Sequence, residues 1–177
     1  MTITQGRPHN LNFLPVLGTK LYLRRLPTTT FFLLRAHIPG LTLNAVETPN
    51  PFVHMPQPGD HIDYEHLEID FAVDEDLTNW HELHDWMRGD GYPESYTEYA
   101  NVATYSEADG RGPKADGLVT VLDSQKRSNW EYQFWGLVPV SLSGFDLFSN
   151  SPDVDYVMAT ANFRFTLFQR ERVKFTG

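Results

Sequence analysis

The sequence predicts a mainly β fold, a β-sandwich or small barrel with one flanking helix over about residues 76–88. Three observations predict it. Short runs of alternating apolar and polar residues recur along the chain, which is the period of a half-buried strand. A single segment repeats its apolar residues at helical spacing. The chain has 177 residues, 41% of them hydrophobic, enough for one domain with its own core.

The elements follow in order. Residues 1–11 are polar and lack the apolar stretch of a signal peptide, so they read as a flexible N-terminal arm of a protein made in the cytoplasm. Residues 20–26 alternate Leu21 and Leu23 against Tyr22 and Arg24. Residues 31–38 form a second apolar run, too short to span a bilayer. Pro27 and three threonines lie between the two, so a hairpin-like connection is expected. Pro39 and Gly40 break the chain, and Leu41, Leu43 and Ala45 share one parity over residues 41–46. Residues 49–59 hold Pro49, Pro51, Pro56 and Pro58. Proline lacks an N–H, so this stretch is excluded from a central strand and is expected to form an extended excursion or the tip of a long hairpin.

The next run changes face. Ile62 and Tyr64 have even parity, whereas Leu67, Ile69, Phe71 and Val73 have odd parity. A one-residue slip sends every side chain to the other side of a strand. The switch near Glu65 and His66 marks either a β-bulge or, the favoured reading, a strand that leaves one packing environment for another. The helix follows, with Asp76 as candidate N-cap, Leu77, Trp80, Leu83 and Met87 as its apolar stripe, and Gly89 as candidate C′ residue. Trp86 falls outside that stripe and is expected to make a contact elsewhere. Residues 101–117, with Gly110, Gly112, Pro113 and Gly117, read as a surface loop. Residues 118–122 and 130–137 read as a strand pair. Residues 156–168 place Val157, Ala159, Ala161, Phe163, Phe165 and Leu167 on one face and read as one long strand of the main sheet.

Charge is unevenly laid out. The net charge is -9. Residues 1–35 hold five bases and no acid, residues 47–123 hold 18 acids against three bases, and residues 124–177 hold six bases and five acids. A basic start and an acidic middle suit contact between identical copies. The acidic excess argues against tight DNA binding, which Lys and Arg drive.

Candidate catalytic and metal-binding patterns are weak. There is no cysteine, hence no disulfide or thiolate chemistry. His81 and His84 are spaced i, i+3 rather than the i, i+4 of zinc hydrolases, and no third ligand is evident. His84 reads as a partly buried structural histidine. His61, Asp63 and Glu65 share a strand face but are splayed along it, and read as an acidic lining rather than a cation site. No nucleophile elbow, phosphate loop or dinucleotide fingerprint occurs. The expected site inventory is therefore empty of catalytic, cofactor-binding and metal residues. A metal-dependent hydrolase using His81 and His84 stays as a remote alternative. A carbohydrate-binding sandwich needs aromatics such as Trp130 and Trp135 on one cleft, and these two differ in parity.

A resemblance enters on several runs taken together. These are Ile38-Pro39-Gly40-Leu41, Pro49-Asn50-Pro51-Phe52 and Pro58-Gly59-Asp60, then Val73-Asp74-Glu75-Asp76-Leu77 followed by Asn79, Leu83, Trp86, Met87, Gly91 and Pro93-Glu94. The closing Asp153-Val154-Asp155-Tyr156 with Ala161 and Phe163-Arg164-Phe165 belongs to the same set. In order and spacing the chain resembles tail tube proteins of contractile-tailed bacteriophages and their baseplate relatives, over roughly residues 12–168. The resemblance implies a single tail-tube-like domain over residues 1–177 whose β-hairpin, in about residues 41–64, extends for ring assembly. It implies hexameric rings that stack into a tube, non-specific passage of double-stranded DNA, and neighbours in the sheath, baseplate hub or neck. It places the protein in the virion, as a non-enzymatic structural subunit. A baseplate, tube-initiator or neck ring with the same fold is the alternative. Asp60, Asp63 and Glu65 are then expected to face the lumen, with Arg24, Arg25 or Arg35 as partners across a subunit boundary if they do not.

Overall fold

The computed structural model describes residues 18–48, 54–91, 113–147 and 156–173. The elements are β1 (Thr19–Leu23), α1 (Pro27–Phe31), β2 (Leu33–His37), β3 (Leu41–Thr48), β4 (Met55–Tyr64), β5 (Leu67–Ala72), α2 (Thr78–Gly91), β6 (Ala115–Leu122), β7 (Ser128–Leu142), β8 (Met158–Arg164) and β9 (Leu167–Arg172). Seven strands form one sheet in the order β1-β6-β7-β8-β5-β2, with β9 also on β7, and β3 and β4 form a separate two-stranded sheet.

The long strand β7 makes the sheet fold over. Its first half pairs with β6 and β9, and its second half pairs with β8. Between the halves sits Gly136 at φ +65°, a conformation that favours glycine, and its N–H donates to Asp116 Oδ1 at 3.1 Å. The register slips here as well, with Ala115 opposite Leu137 but Gly117 opposite Phe134. Such a bulge bends a strand. One half-sheet is β1-β6-β7-β9 and the other is β7-β8-β5-β2. Their inner faces meet in one core that joins Leu21, Leu23, Val119 and Phe134 to Leu67, Ile69, Phe71, Ala159, Ala161 and Phe163. Helix α2 adds Leu83 and Trp86 to it. The expectation of a mainly β fold with a flanking helix is met.

Several local expectations need correction. β1 and β2 do not form a hairpin. β1 pairs with β6 and β2 with β5, and the connection is the short helix α1. Pro27 opens α1 where its fixed φ suits a first turn. The Thr30 hydroxyl donates to the Leu26 carbonyl at 2.8 Å and accepts from the Leu23 N–H at 3.3 Å. Leu26 and Thr29 are fully buried, so burial holds this corner helical.

Helix α2 starts and ends later than expected. Asp74, rather than Asp76, serves its N-terminus. Asp74 Oδ1 accepts the Asn79 N–H at 3.0 Å, while Asn79 Oδ1 accepts the Asp74 N–H at 3.3 Å. Leu77 at φ +57° carries the chain into the helix. Gly89 is an interior, buried residue rather than a C′ cap. The buried stripe is Asn79, Leu83, Trp86 and Gly89, so the helix is rotated from the expected phase. Trp86 is a core residue, 1% exposed, on the helix's buried face rather than beside it. Its ring lies 6.1 Å from Phe163, its Nε1–H donates to the Pro113 carbonyl at 3.2 Å, and the Arg25 guanidinium sits 4.4 Å above it.

The expected loop over residues 101–117 ends earlier, because β6 begins at Ala115. Residues 101–112 and the expected arm, residues 1–11, lie outside the described residues. The expected long strand over residues 156–168 is divided at Phe165 and Thr166 into β8 and β9. Both parts follow β7 around its bend, with Leu142 opposite Ala161 and Trp130 opposite Arg172. Ala159, Ala161 and Phe163 keep the expected buried face, but Leu167 is exposed, since the bend reverses which parity faces inward.

Candidate assembly interface

The feature that stands apart from the core is the hairpin β3–β4. Its root is clasped from both sides. The Glu65 N–H donates to the Gly40 carbonyl at 3.2 Å, and Glu65 Oε2 accepts the Gly40 N–H at 3.0 Å. Tyr64 anchors it to the sandwich, with ring centroids 5.4 Å from Phe165 and 5.6 Å from Phe168. One residue pair later the chain enters β5, where Leu67 is fully buried. The expected change of environment after Tyr64 is therefore a physical exit from hairpin to core.

Beyond its root the hairpin has two unlike faces. Leu41 pairs with Tyr64 and Leu43 with Ile62, so these four share a face. Leu41, Leu43 and Ile62 are 62%, 51% and 51% exposed. On the opposite face Thr42 pairs with Asp63, and the Asn44 amide donates to Asp63 Oδ2 at 3.2 Å. A two-stranded ribbon with one solvated apolar face has no independent core. Contiguous exposed apolar surface marks a contact site.

The prolines take the place their chemistry permits. Pro56 and Pro58 lie within β4, opposite Glu47 and Ala45. Both strands of a two-stranded sheet are edges, so a missing N–H can point outward. Gly59 sits at the irregularity in this register. A Cβ on it would come 2.0 Å from the Asn44 carbonyl oxygen, so only glycine fits the close approach. Sequence reasoning missed this residue and the Glu65 clasp. A glycine inside a strand pattern is the signal that could have found the first; the second depends on a contact across 25 residues that no local pattern carries.

The acids expected to act together are not equivalent. Asp63 is on the polar hairpin face, Asp60 is exposed in β4, and Glu65 belongs to the root clasp. Arg35 is held within its own chain by Glu68 and by Asp70, the latter at 2.7 Å. Asp70 also accepts the Thr160 hydroxyl at 2.8 Å, and the Asn162 amide donates to Ser141 Oγ at 2.8 Å. These residues make the outer face of β2-β5-β8-β7 a polar, internally bonded surface.

The helix histidines have structural neighbours. His84 stacks on Trp80 at 5.2 Å and lies 3.2 Å from Asp85. Trp80 in turn donates to the Ser143 carbonyl at 3.2 Å. Among the described residues no group of three His, Cys, Asp or Glu converges as a metal site. Trp135 lines an outer hollow with Tyr22, Arg24 and Gln133, whereas Trp130 has the opposite parity.

Electrostatic strain gathers where α2 meets α1. The Thr28 hydroxyl donates to Glu82 Oε1 at 2.9 Å, while Glu82 Oε2 is buried without a partner among the described residues. Burial raises the Glu82 carboxyl above its ordinary range, against the Thr28 hydrogen bonds. Burial likewise raises Asp90, opposed by Arg25.

No protein-family model matches this chain, and no curated protein sequence does. Solved structures do resemble it. A chain of the anti-feeding prophage baseplate aligns with TM-score 0.59 at 12% identity, over 89% of this chain and 93% of that one. A chain of the cap that terminates the anti-feeding prophage tube aligns with TM-score 0.56 at 10% identity, over 98% and 100%. A chain of the sheath–tube complex of an extracellular contractile injection system aligns with TM-score 0.54 at 10% identity, over 90% and 92%. The fold is shared with components of contractile injection systems. The resemblance read from the sequence to tail tube and baseplate proteins is thus matched at the level of fold.

Proposed function

We propose that this protein is a structural, non-enzymatic subunit that forms hexameric rings in the tube of a phage-like contractile tail. The observation that carries this reading is the hairpin β3–β4, with its solvated apolar face of Leu41, Leu43 and Ile62. A second copy of the chain covers that face, and repetition around an axis closes the ribbons into a barrel without edges. The polar face, with Thr42, Asn44 and Asp63, then faces a lumen. Its acidic character lets double-stranded DNA slide rather than stick. The particle is a phage virion in this reading, with sheath, baseplate hub or neck proteins as neighbours. Electron microscopy of the purified protein tests it. Rings with a central channel are expected; a monomer that stays single at high concentration and shows no annular particles overturns the reading.

A specialised ring at one end of the tube is the second reading. It is favoured by the match to the tube-terminating cap, which spans both chains almost completely. Copy number per particle separates the two, because a repeating tube holds many rings and a cap or baseplate holds one.

A further inference from the structure

The folded sheet is open along one side. β1 and β2 are the ends of the strand order, and among the described residues neither pairs with a strand on its outer edge. α1 joins them at one end. At the other end they leave a groove of about 700 Å³, whose lining includes Gly18, Thr19, Leu34, Ala36 and Leu122. Leu34 is 48% exposed there. Among the described residues β2 pairs only with β5, so half of its backbone N–H and C=O groups point away from that sheet. Arg35, His37 and Lys126 complete the lining, so apolar Leu34, Ala36 and Leu122 alternate with a basic rim, and an unpaired edge of this kind accepts an extended segment by strand addition.

The chain carries one fitting segment next to this groove. Residues 11–17 read Leu-Asn-Phe-Leu-Pro-Val-Leu, with five apolar side chains, and end at Gly18, which forms part of the rim. Pro15 suits an added outer strand, the position where a missing N–H is tolerated. The geometry disfavours a chain filling its own groove. The Gly18 carbonyl accepts the Leu122 N–H at 2.8 Å and Thr19 is already opposite Val121. A reversal takes about two residues and would consume Val16 and Leu17, two of the apolar side chains. A segment arriving from another copy has no such constraint.

We propose that residues 11–17 of one copy add as a strand to the β2 edge of a neighbouring copy and fill this groove, so that the rings are laced by exchanged N-terminal segments. The inference rests on the ring reading above. The absence of cysteine makes the test clean. Phe13→Cys, Leu14→Cys and Val16→Cys are each combined with Ala36→Cys, assembled, oxidised and run on a non-reducing gel. At least one pair is expected to give a ladder beyond the dimer, while each single variant stops at the dimer. A disulfide within one chain overturns the exchange. Rings visible by microscopy with no ladder from any pair overturn the groove assignment and leave the ring reading standing. Wild-type protein without rings overturns both. A variant lacking residues 1–17 is the second arm. It is expected to keep the circular dichroism of the folded protein and lose its rings; rings at wild-type yield overturn the exchange.

Discussion

Phe163→Ala tests the core arrangement most directly. Phe163 is fully buried near the end of β8, flanked by Leu67 on β5 and Pro139 on β7. Trp86 of α2 lies over it at 6.1 Å. Both neighbouring strands are backbone-paired and cannot slide inward, so truncation leaves a cavity as well as losing transfer energy. A loss of roughly 3–5 kcal/mol is expected. For a chain of this size each kcal/mol shifts Tm by about 2–4 °C, so Tm falls by roughly 6–20 °C. The assay is urea unfolding of the unassembled protein, followed by tryptophan fluorescence, with m unchanged and the midpoint lowered. Phe31→Ala is the control, because Phe31 is 83% exposed and should change stability by less than about 0.5 kcal/mol. A loss below about 1 kcal/mol for Phe163→Ala would refute the assignment of the inner face.

Further outcomes follow from the hairpin and the α1–α2 seam. Gly59→Ala forces the hairpin backbone away from the Asn44 carbonyl; ring yield should fall sharply while the midpoint of core unfolding stays in place, and unchanged rings would refute the close approach. Asp60→Lys with Asp63→Lys should leave folding nearly intact, since exposed charges contribute little, and give rings a salt-sensitive DNA affinity measurable by filter binding; rings that still ignore DNA would place these residues away from the channel. Glu65→Lys breaks the clasp on Gly40 and should reduce ring formation by misplacing the hairpin, which microscopy reads without any DNA assay. Glu82 has its folded pKa raised by burial, so its contribution disfavours the folded state above that raised pKa and the penalty disappears as pH falls to the unfolded carboxylate value, about 4.3. Unfolding midpoints measured across that window should therefore rise on acidification more in the wild type than in Glu82→Gln, and parallel profiles would show that Glu82 does not titrate in this way.

The sequence carried the local periods well and the partnerships poorly. The alternation of Ala159, Ala161 and Phe163, and the parity change after Tyr64, are backbone facts printed in side-chain order, and the structure follows them. Pairing is different. β1 finds β6 about a hundred residues away, and nothing in residues 19–23 names that partner. Pro27 and the three threonines predict a hairpin-like connection; the buried Thr29 and Leu26, set by tertiary packing, make it a helix instead. The phase of α2 was misread because Leu77, Trp80, Leu83 and Met87 form a more apolar stripe than Asn79, Leu83, Trp86 and Gly89. Asn79 is buried because its side chain is spent on hydrogen bonds, with its amide donating to the Ala72 carbonyl at 2.7 Å. The hairpin face was partly legible in Leu41, Leu43, Ile62 and Tyr64, but its clasp was not.

The strand order also dictates a sequence of events during synthesis. As the chain leaves the ribosome, β3 and β4 can pair at once, and β2 can meet β5 nearby. β1 must wait for β6, and β5 stays half-paired until β8 emerges near the C-terminus. Long-range pairings of this kind are slow to form. The projecting ribbon therefore exists before there is a finished body to hold it, and premature encounters between nascent chains are a standing hazard. A chain built this way gains from having its ribbon root completed late: Tyr64 finds Phe165 and Phe168 only when almost the whole polypeptide is out. Translation thus times the moment at which the ribbon root is fixed to the body.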